Sequence, residues 1–542
     1  MQRKQLTLVI VSLLVVVLSL SLAYFTTQII GKGKDVSVTS ANLQIVFTDS
    51  DGSISGSNIE PGWSTTKTFT VENKSKETYK YNIVIKDLVN TFVTNGYLQY
   101  KITSTNNGYN MTEFKDIPKS SAPKDKVLAY SVVIPNGVTQ SYTIEFKYAN
   151  DESVDQSDDM GKKLSGTLYI EKGTLPTLSE KLFADNPTIQ TRSSFDAVFT
   201  ETNTGTLYKA TESIAGSPAK DVYYFAGDAK NNWVNFGKYQ TDYVVYRGYS
   251  ETGSKYIDYL TMEACTSASN YNINCTEQIY WNKGNDIYWR IVRTNYDGSV
   301  KLLYAGNSPD TTSGYIGTSA FNSTNNDSMY VGYKYGTSGT LANNRLNTND
   351  STIKTFIDNW YSNNLTSYTK YISTEAVYCN DRKAPSYSIS SSFDYYVQTR
   401  LGAGNPTYDC EDSSDAFSGS NSEAKLTHPI GLMTADEITY AGGKDTTGLT
   451  SPYAWYYLNS AGESITGTQW WWSLSPRLWN GVISYVWFVF GSSIPGALLS
   501  TADVNFENGV RPAISLKSCV KTSGGDGTAD SPYTIEESTS GC

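Results

Sequence analysis

Residues 5–31 carry no charged side chain, and the basic pair Arg3-Lys4 stands just before this run. Residues 6–25 are mostly Val, Leu and Ile, a stretch about long enough to cross a bilayer. Ser21-Leu22-Ala23 puts small residues at the two positions a signal peptidase reads. Residues 1–23 therefore read as a signal peptide cleaved after Ala23, with an uncleaved membrane anchor as the alternative. Either way the chain folds outside the cytoplasm, extracellular or at the cell surface, where thiols oxidise. Its six cysteines are Cys265, Cys275, Cys379, Cys410, Cys519 and Cys542. An even count in an exported chain suits disulfides, and pairing of sequence neighbours is the expectation. No C-x-x-C spacing occurs, so a zinc ribbon or a thioredoxin-like redox site has no support.

Composition excludes more. At roughly 100 to 200 residues per domain, 542 residues make room for several domains. Lys plus Arg is 43 against 53 for Asp plus Glu, a net charge of −10 that argues against nucleic acid as a partner. With His428 the only histidine, centres that need several imidazoles are excluded. No metal and no cofactor are expected. The remaining contact with a membrane would be residues 6–25.

Two textures divide the rest. Residues 24–172 read as strands: Phe69-Thr70-Val71, Tyr81-Asn82-Ile83-Val84-Ile85, Val132-Val133-Ile134 and Tyr142-Thr143-Ile144-Glu145-Phe146. Asn95-Gly96 and Pro135-Asn136-Gly137 are turn signals between them, and an all-β sandwich follows. Ala23-Tyr24-Phe25-Thr26, Ile59-Glu60-Pro61-Gly62 and Phe69-Thr70-Val71-Glu72-Asn73 together resemble the camelysin and TasA-like biofilm-fibre family of Gram-positive bacteria. That resemblance implies a secreted jelly-roll domain of the kind found in extracellular fibres. The peptidase label of camelysin does not carry over, because this segment has no histidine and no H-E-x-x-H helix.

Residues 173–220, rich in Thr, Ser, Asn and Asp, read as a linker. Residues 221–542 change character, with 10 of the 11 tryptophans; 32 of the 42 tyrosines lie after residue 200. The run Asp286-Ile287-Tyr288-Trp289-Arg290-Ile291-Val292-Arg293-Thr294 and the run Val300-Lys301-Leu302-Leu303-Tyr304 flank Asp297-Gly298, which predicts a hairpin. Ile353, Phe356, Ile357, Trp360 and Tyr361 fall at helical spacing with Asp350 or Ser351 as N-cap, so they read as the core face of a helix. Thr434-Ala435-Asp436-Glu437 fits a capping box opening a second, short helix. The fold class expected here is α+β.

Near the end stand Thr468-Gln469-Trp470-Trp471-Trp472-Ser473-Leu474-Ser475-Pro476 and Gly509-Val510-Arg511-Pro512-Ala513-Ile514-Ser515-Leu516. A Trp-rich strand with Ser-Pro and a closing G-V-R-P strand resemble C-type-lectin-like domains of the formylglycine-generating-enzyme type. They are similar also to secreted gut-bacterial domains and to the variable proteins of diversity-generating retroelements. The resemblance implies a ligand-binding domain with a constant frame and a diversified face between the two motifs. Trp470, Trp471 and Trp472 would belong to the frame.

Between those motifs the candidate ligand-binding residues are Arg477, Trp479, Tyr485, Trp487, Ile494, Asp503, Asn505 and Glu507. On an exposed face, Trp479, Tyr485 and Trp487 would be rigid aromatic anchors and Arg477 a charge-assisted contact. The competing reading is core. By strict alternation Val486, Phe488 and Phe490 point one way and Tyr485, Trp487 and Val489 the other, and at least one face must be buried.

Enzyme chemistry finds no foothold: G-x-S-x-G, Walker and G-x-G-x-x-G motifs are missing, although two carboxylates of a glycosidase would leave no motif. His428, in Thr427-His428-Pro429, reads as a structural or surface histidine. Asp49, Asp51, Ser53 and Glu60 match four ligand positions of an EF loop, but Ile54 stands where its glycine must be, so a turn is the better account. The expectation is a non-enzymatic binding protein for a protein or glycan at the cell exterior, with a structural component of a fibre or biofilm matrix as the alternative.

Overall fold

The computed structural model describes residues 36–537 and Cys542, apart from 41–42, 50–52, 56–58, 76, 95, 254–255, 260, 310–313, 385–390, 458–469 and 492–493. The expected leader with its cleavage point after Ala23, Ser50 to Gly52 of the acidic loop, and Thr468-Gln469 lie outside the described residues. The chain is mostly β and forms two compact units, Met1–Leu175 and Pro176–Cys542.

The first unit is a two-sheet sandwich. One sheet orders Val36–Ser40, Leu43–Asp49, Ser64–Asn73, Thr139–Tyr148, Leu98–Ser104 and Lys115–Asp116; the other orders Ser53–Ser55, Leu164–Lys172, Tyr79–Asn90 and Ser120–Ile134. Alternation builds it: along Thr139–Tyr148 the side chains of Gln140, Tyr142, Ile144, Phe146 and Tyr148 turn inward. They meet Ile83, Ile85 and Leu168 of the facing sheet in one core. Tyr81 from one sheet donates to Gln140 Oε1 of the other at 2.6 Å, and its hydroxyl lies 2.6 Å from that of Tyr142. Buried phenols are thus paired across the sandwich rather than left as orphan donors. The Pro135-Asn136-Gly137 turn joins the two sheets, with Gly137 N–H donating to Asn73 O at 2.9 Å.

The second unit is organised by a nine-stranded sheet. At its centre Asp286–Thr294 and Val300–Gly306 pair antiparallel around the Asp-Gly turn, as the spacing predicts. The helix Thr352–Asn364 begins where expected. Ser351 caps it by accepting from Lys354 N–H, and Ile353, Ile357, Trp360 and Tyr361 are buried. Lys354 is buried too, which the apolar spacing does not announce; it pairs with Asp358 one turn on, so its charge is compensated locally. Both halves of the Thr434 capping box are present at the helix Ala435–Ala441.

The linker expected at 173–220 is not a linker. Thr177 and Glu180 form a capping box for the helix Leu178–Asp185, whose Leu178 and Leu182 lie in the main core with Leu207. Thr206–Glu212 and Lys220–Tyr224 are strands of the nine-stranded sheet. Polar composition hid a short amphipathic helix, because only two apolar residues at i and i+4 have to be buried. The second unit therefore starts at Pro176, not at 221.

Three disulfides pair sequence neighbours: Cys265–Cys275, Cys379–Cys410 and Cys519–Cys542. The first staples a small sheet of Tyr243–Tyr249, Tyr256–Tyr259 and Ile273–Trp281. Among the described residues no helix is long and apolar enough to cross a membrane.

Candidate functional site

The segment between the two late motifs belongs to a second large sheet. Trp471–Trp479 pairs with Ser484–Val489, which pairs with Leu498–Asp503, and Phe393–Asp394 adds to the outer end of the first of these strands. The motifs have local reasons. Trp471 and Trp472 are buried, and Trp472 Nε1 donates to Ser319 O at 2.9 Å. Ser473 Oγ donates to Trp487 O at 2.8 Å, while Ser475 Oγ accepts from Ala435 N–H at 2.9 Å and so serves the N-terminus of the helix Ala435–Ala441. Arg511 is fully buried: its guanidinium donates to the carbonyls of Tyr304 and Tyr456 and lies 4.9 Å from the Trp471 ring. Gly509 is required by close approach, since a Cβ there would stand 2.6 Å from the Tyr315 ring and 2.7 Å from Trp470 O.

Two of the three expected anchors are core. Trp479 is 2% exposed and Trp487 0%, so no ligand reaches them. Alternation fails along Ser484–Val489 because both faces of the strand are covered: Val486, Trp487, Phe488 and Val489 are all buried. The ladder slips between 486 and 488, and strict period-two pointing does not survive such an irregularity.

The candidates that remain accessible are polar except Ile494, and exposed Val482 and Phe506 stand near them. Leu478, Tyr485 and Asp503 stand opposite one another on three adjacent strands, with Tyr485 and Asp503 half-buried. Asn480 Nδ2 donates to the Tyr485 hydroxyl at 3.2 Å, and Asn480 Oδ1 ties the hairpin turn by accepting from Val482 and Ile483 N–H. Burial pushes the Asp503 carboxyl above its ordinary range, against hydrogen bonds from Tyr485 and Asn325. Asn505 and Glu507 are exposed beside Phe506 in the turn that follows, and Ile494 is half-buried in the loop before Leu498.

Arg477 is half-buried and meets Asp394 Oδ1 at 3.2 Å. Among the described residues its Nε is buried without a hydrogen-bond partner, and so is Oδ1 of Asp445. Burial raises the Asp445 carboxyl, and the charge of Arg477 opposes that rise. Asp394, Asp445 and Asn325 come from distant parts of the chain, and no local pattern marks them.

A second polar cluster is internal. Arg293 donates to Glu212 and Glu437 at 2.9 Å each, and Lys301 Nζ reaches both oxygens of Glu437 at 2.8 Å. Burial alone would raise the Glu437 carboxyl, but Lys301 and Arg293 pull it below its ordinary range. The void at this cluster is about 20 Å³, room for about one water and for no substrate. Its role is to hold sheet and helix together. His428 stacks on Tyr361 at 4.7 Å and lies 3.0 Å from Ser362 Oγ, a packed position.

No protein-family model matches the sequence, and no curated protein matches it. Among solved structures, one described as "AvmM Catalyzes Macrocyclization in Alchivemycin A Biosynthesis" is 10% identical, covers 27% of this chain and 100% of its own, and has a TM-score of 0.14. Another, "Chaperone-tip adhesin complex is vital for synergistic activation of CFA/I fimbriae biogenesis", is 13% identical, covers 45% of this chain and 86% of its own, and has a TM-score of 0.08. Neither score carries an argument about fold or function.

Proposed function

We propose that this is an exported ligand-binding protein, secreted or held at the cell surface. It recognises a protein or glycan through the face formed by Arg477, Tyr485, Asp503, Asn505 and Glu507. The observation that carries this reading is the set of reachable polar side chains on adjacent strands and the turn after them: half-buried Arg477, Tyr485 and Asp503 with exposed Asn505 and Glu507. The first unit, a jelly roll in this reading, spaces or anchors the second, a C-type-lectin-like domain.

Glycan and extracellular-protein arrays probed with the whole chain test the reading. Signals lost on combining Arg477→Ala with Tyr485→Ala support it; signals that survive both changes overturn it. Diversification of the face is tested in the genome. A neighbouring reverse transcriptase with a near-identical template repeat differing at adenines supports it, and their absence overturns it.

A fibre-forming role is the alternative reading. It predicts filaments from purified residues 24–172. The long edge strand Ser120–Ile134 exposes Pro123 and Lys124, residues that blunt strand addition, and this weighs against fibre growth from that edge.

A further inference from the structure

Away from that face, the nine-stranded sheet carries a cleft of about 310 Å³, within the range of small-molecule sites. Its walls are aromatic. Trp233 and Trp455 are buried at its floor, with Trp455 Nε1 donating to Phe225 O at 3.0 Å, so that ring is held in place. Tyr453, 37% exposed, and Tyr457 stand at the rim with ring centroids 4.8 Å apart.

Arg290 enters this cleft from Asp286–Thr294. Its guanidinium lies 4.2 Å from the Trp233 ring and 5.7 Å from that of Trp455. Nε donates to Asn232 Oδ1 at 2.6 Å and Nη2 to Ala229 O at 2.9 Å. Nη1 makes no hydrogen bond among the described residues, and the side chain forms no ion pair there. The nearest lining carboxylate, Asp228, is engaged elsewhere: it accepts from Thr202 Oγ1 at 2.8 Å and from Lys230 Nζ at 2.7 Å. Arg511, whose charge acts on Arg290, is fully buried and hydrogen-bonds, among the described residues, to carbonyls. Burial and the charge of Arg511 push the Arg290 guanidinium down to about 9. Among the described residues neither guanidinium is hydrogen-bonded to a carboxylate, and Asp228 acts on Arg290 only through space, so the field of this floor favours an anion.

We propose that this cleft is a binding site for a saccharide bearing a carboxylate, a uronic-acid type of sugar. The carboxylate meets Arg290 Nη1 and Lys230 Nζ, the apolar face of the ring stacks on Tyr453 and Tyr457, and Asp228 accepts from sugar hydroxyls. One carboxylate set among two cations selects a ligand that donates hydroxyls and carries a single charge per unit. A dianionic phosphate would be repelled by Asp228 about twice as strongly as a single carboxylate.

Titration calorimetry of the full chain with a hexamer of galacturonic acid, with neutral maltohexaose and with sodium acetate tests this. The acidic hexamer is expected to bind at least about tenfold more tightly than the neutral one, a difference of about 1.4 kcal/mol. The double change Tyr453→Ala, Tyr457→Ala and the exposed Lys230→Ala should each weaken it by about tenfold or more. Arg290→Gln should abolish it with its own thermal melt recorded, and Lys230→Ala, an exposed change with an unchanged melt, keeps the test valid where Arg290→Gln unfolds. No binding of the hexamer at about 10 mM, equal binding of maltohexaose, or indifference to the Tyr and Lys changes overturns the proposal. Acetate binding as tightly as the hexamer overturns the sugar class. The site shares no residue with Arg477 and Tyr485, so either reading can fail alone.

Discussion

The two units solve the problem of a closed core in different ways. In the first, Phe69, Ile83, Ile85, Ile144 and Leu168 meet across two sheets, and the buried polar groups are mostly neutral ones such as Tyr81, Gln140 and Tyr142, with Asp159 a buried carboxylate that accepts from Val93 N–H and the Tyr148 hydroxyl. In the second, Arg293, Lys301, Glu212 and Glu437 lie at the centre, and Arg382 pairs with Asp415 at 2.6 Å in a second buried contact. The bond from Arg293 to Glu437 spans 144 residues. The sandwich closes by apolar area between regular strands. The second unit has many short elements and long connections, and directional buried contacts choose among the ways these could pack. Such a contact adds little net stability when whole and is costly when broken.

The largest effect should therefore come from breaking one. Glu437→Ala leaves Arg293 and Lys301 without a shared carboxylate and should destabilise the second unit by about 3–5 kcal/mol. Calorimetry of the full chain should show one transition falling while the other stays in place; a joint shift would break the comparison. Trp487→Ala opens a cavity in the same unit, at about 3–5 kcal/mol, whereas an exposed anchor would lose binding with an unmoved melt.

Reducing the disulfides should lower only the second transition, by about 2–4 kcal/mol for a bridge that constrains the unfolded chain, since the first unit has no cysteine. Acid reaches both units: burial raises the Asp159 carboxyl of the first, but hydrogen bonds from Val93, Thr94 and Tyr148 pull it below its ordinary range. Glu437 has a folded pKa below its ordinary 4.5, so the unfolded chain binds the proton more readily. The stability from this group is complete above 4.5 and is lost as the pH falls through the lower folded value. A melt series in acid should then show the second transition declining in that window, and Glu437→Gln should flatten the decline. Tyr485→Ala should be the mildest, under about 1 kcal/mol for a half-exposed ring away from the core, while removing capture of the ligand.

Legibility followed the range of the signal. The Asp297-Gly298 hairpin, the Ser351 cap and the Thr434 capping box are short-range, and each stands where the residues place it. The cysteine pairs could be read because close neighbours are the cheapest loops to close. Trp479 and Trp487 could not be assigned: a period-two pattern says that side chains alternate, not whether the second face is also covered. Asp394 and Asp445 had no local mark at all, since their relation to Arg477 exists only once distant segments meet. Residues 173–220 looked like a linker because composition averages over a helix that buries only Leu178 and Leu182.

From the chain alone came its disulfide chemistry, its β texture and the exclusion of histidine-based metal centres, all properties of residue type and short spacing. Tertiary structure alone decided which aromatic rings are reachable. It sent Trp479 and Trp487 into the core, left Tyr485 at the surface, and brought Arg290 between Trp233 and Trp455 with one nitrogen open. The physical reason is the same in each case: exposure and charge compensation are properties of what packs against a residue, and those neighbours lie tens to hundreds of positions away in the chain.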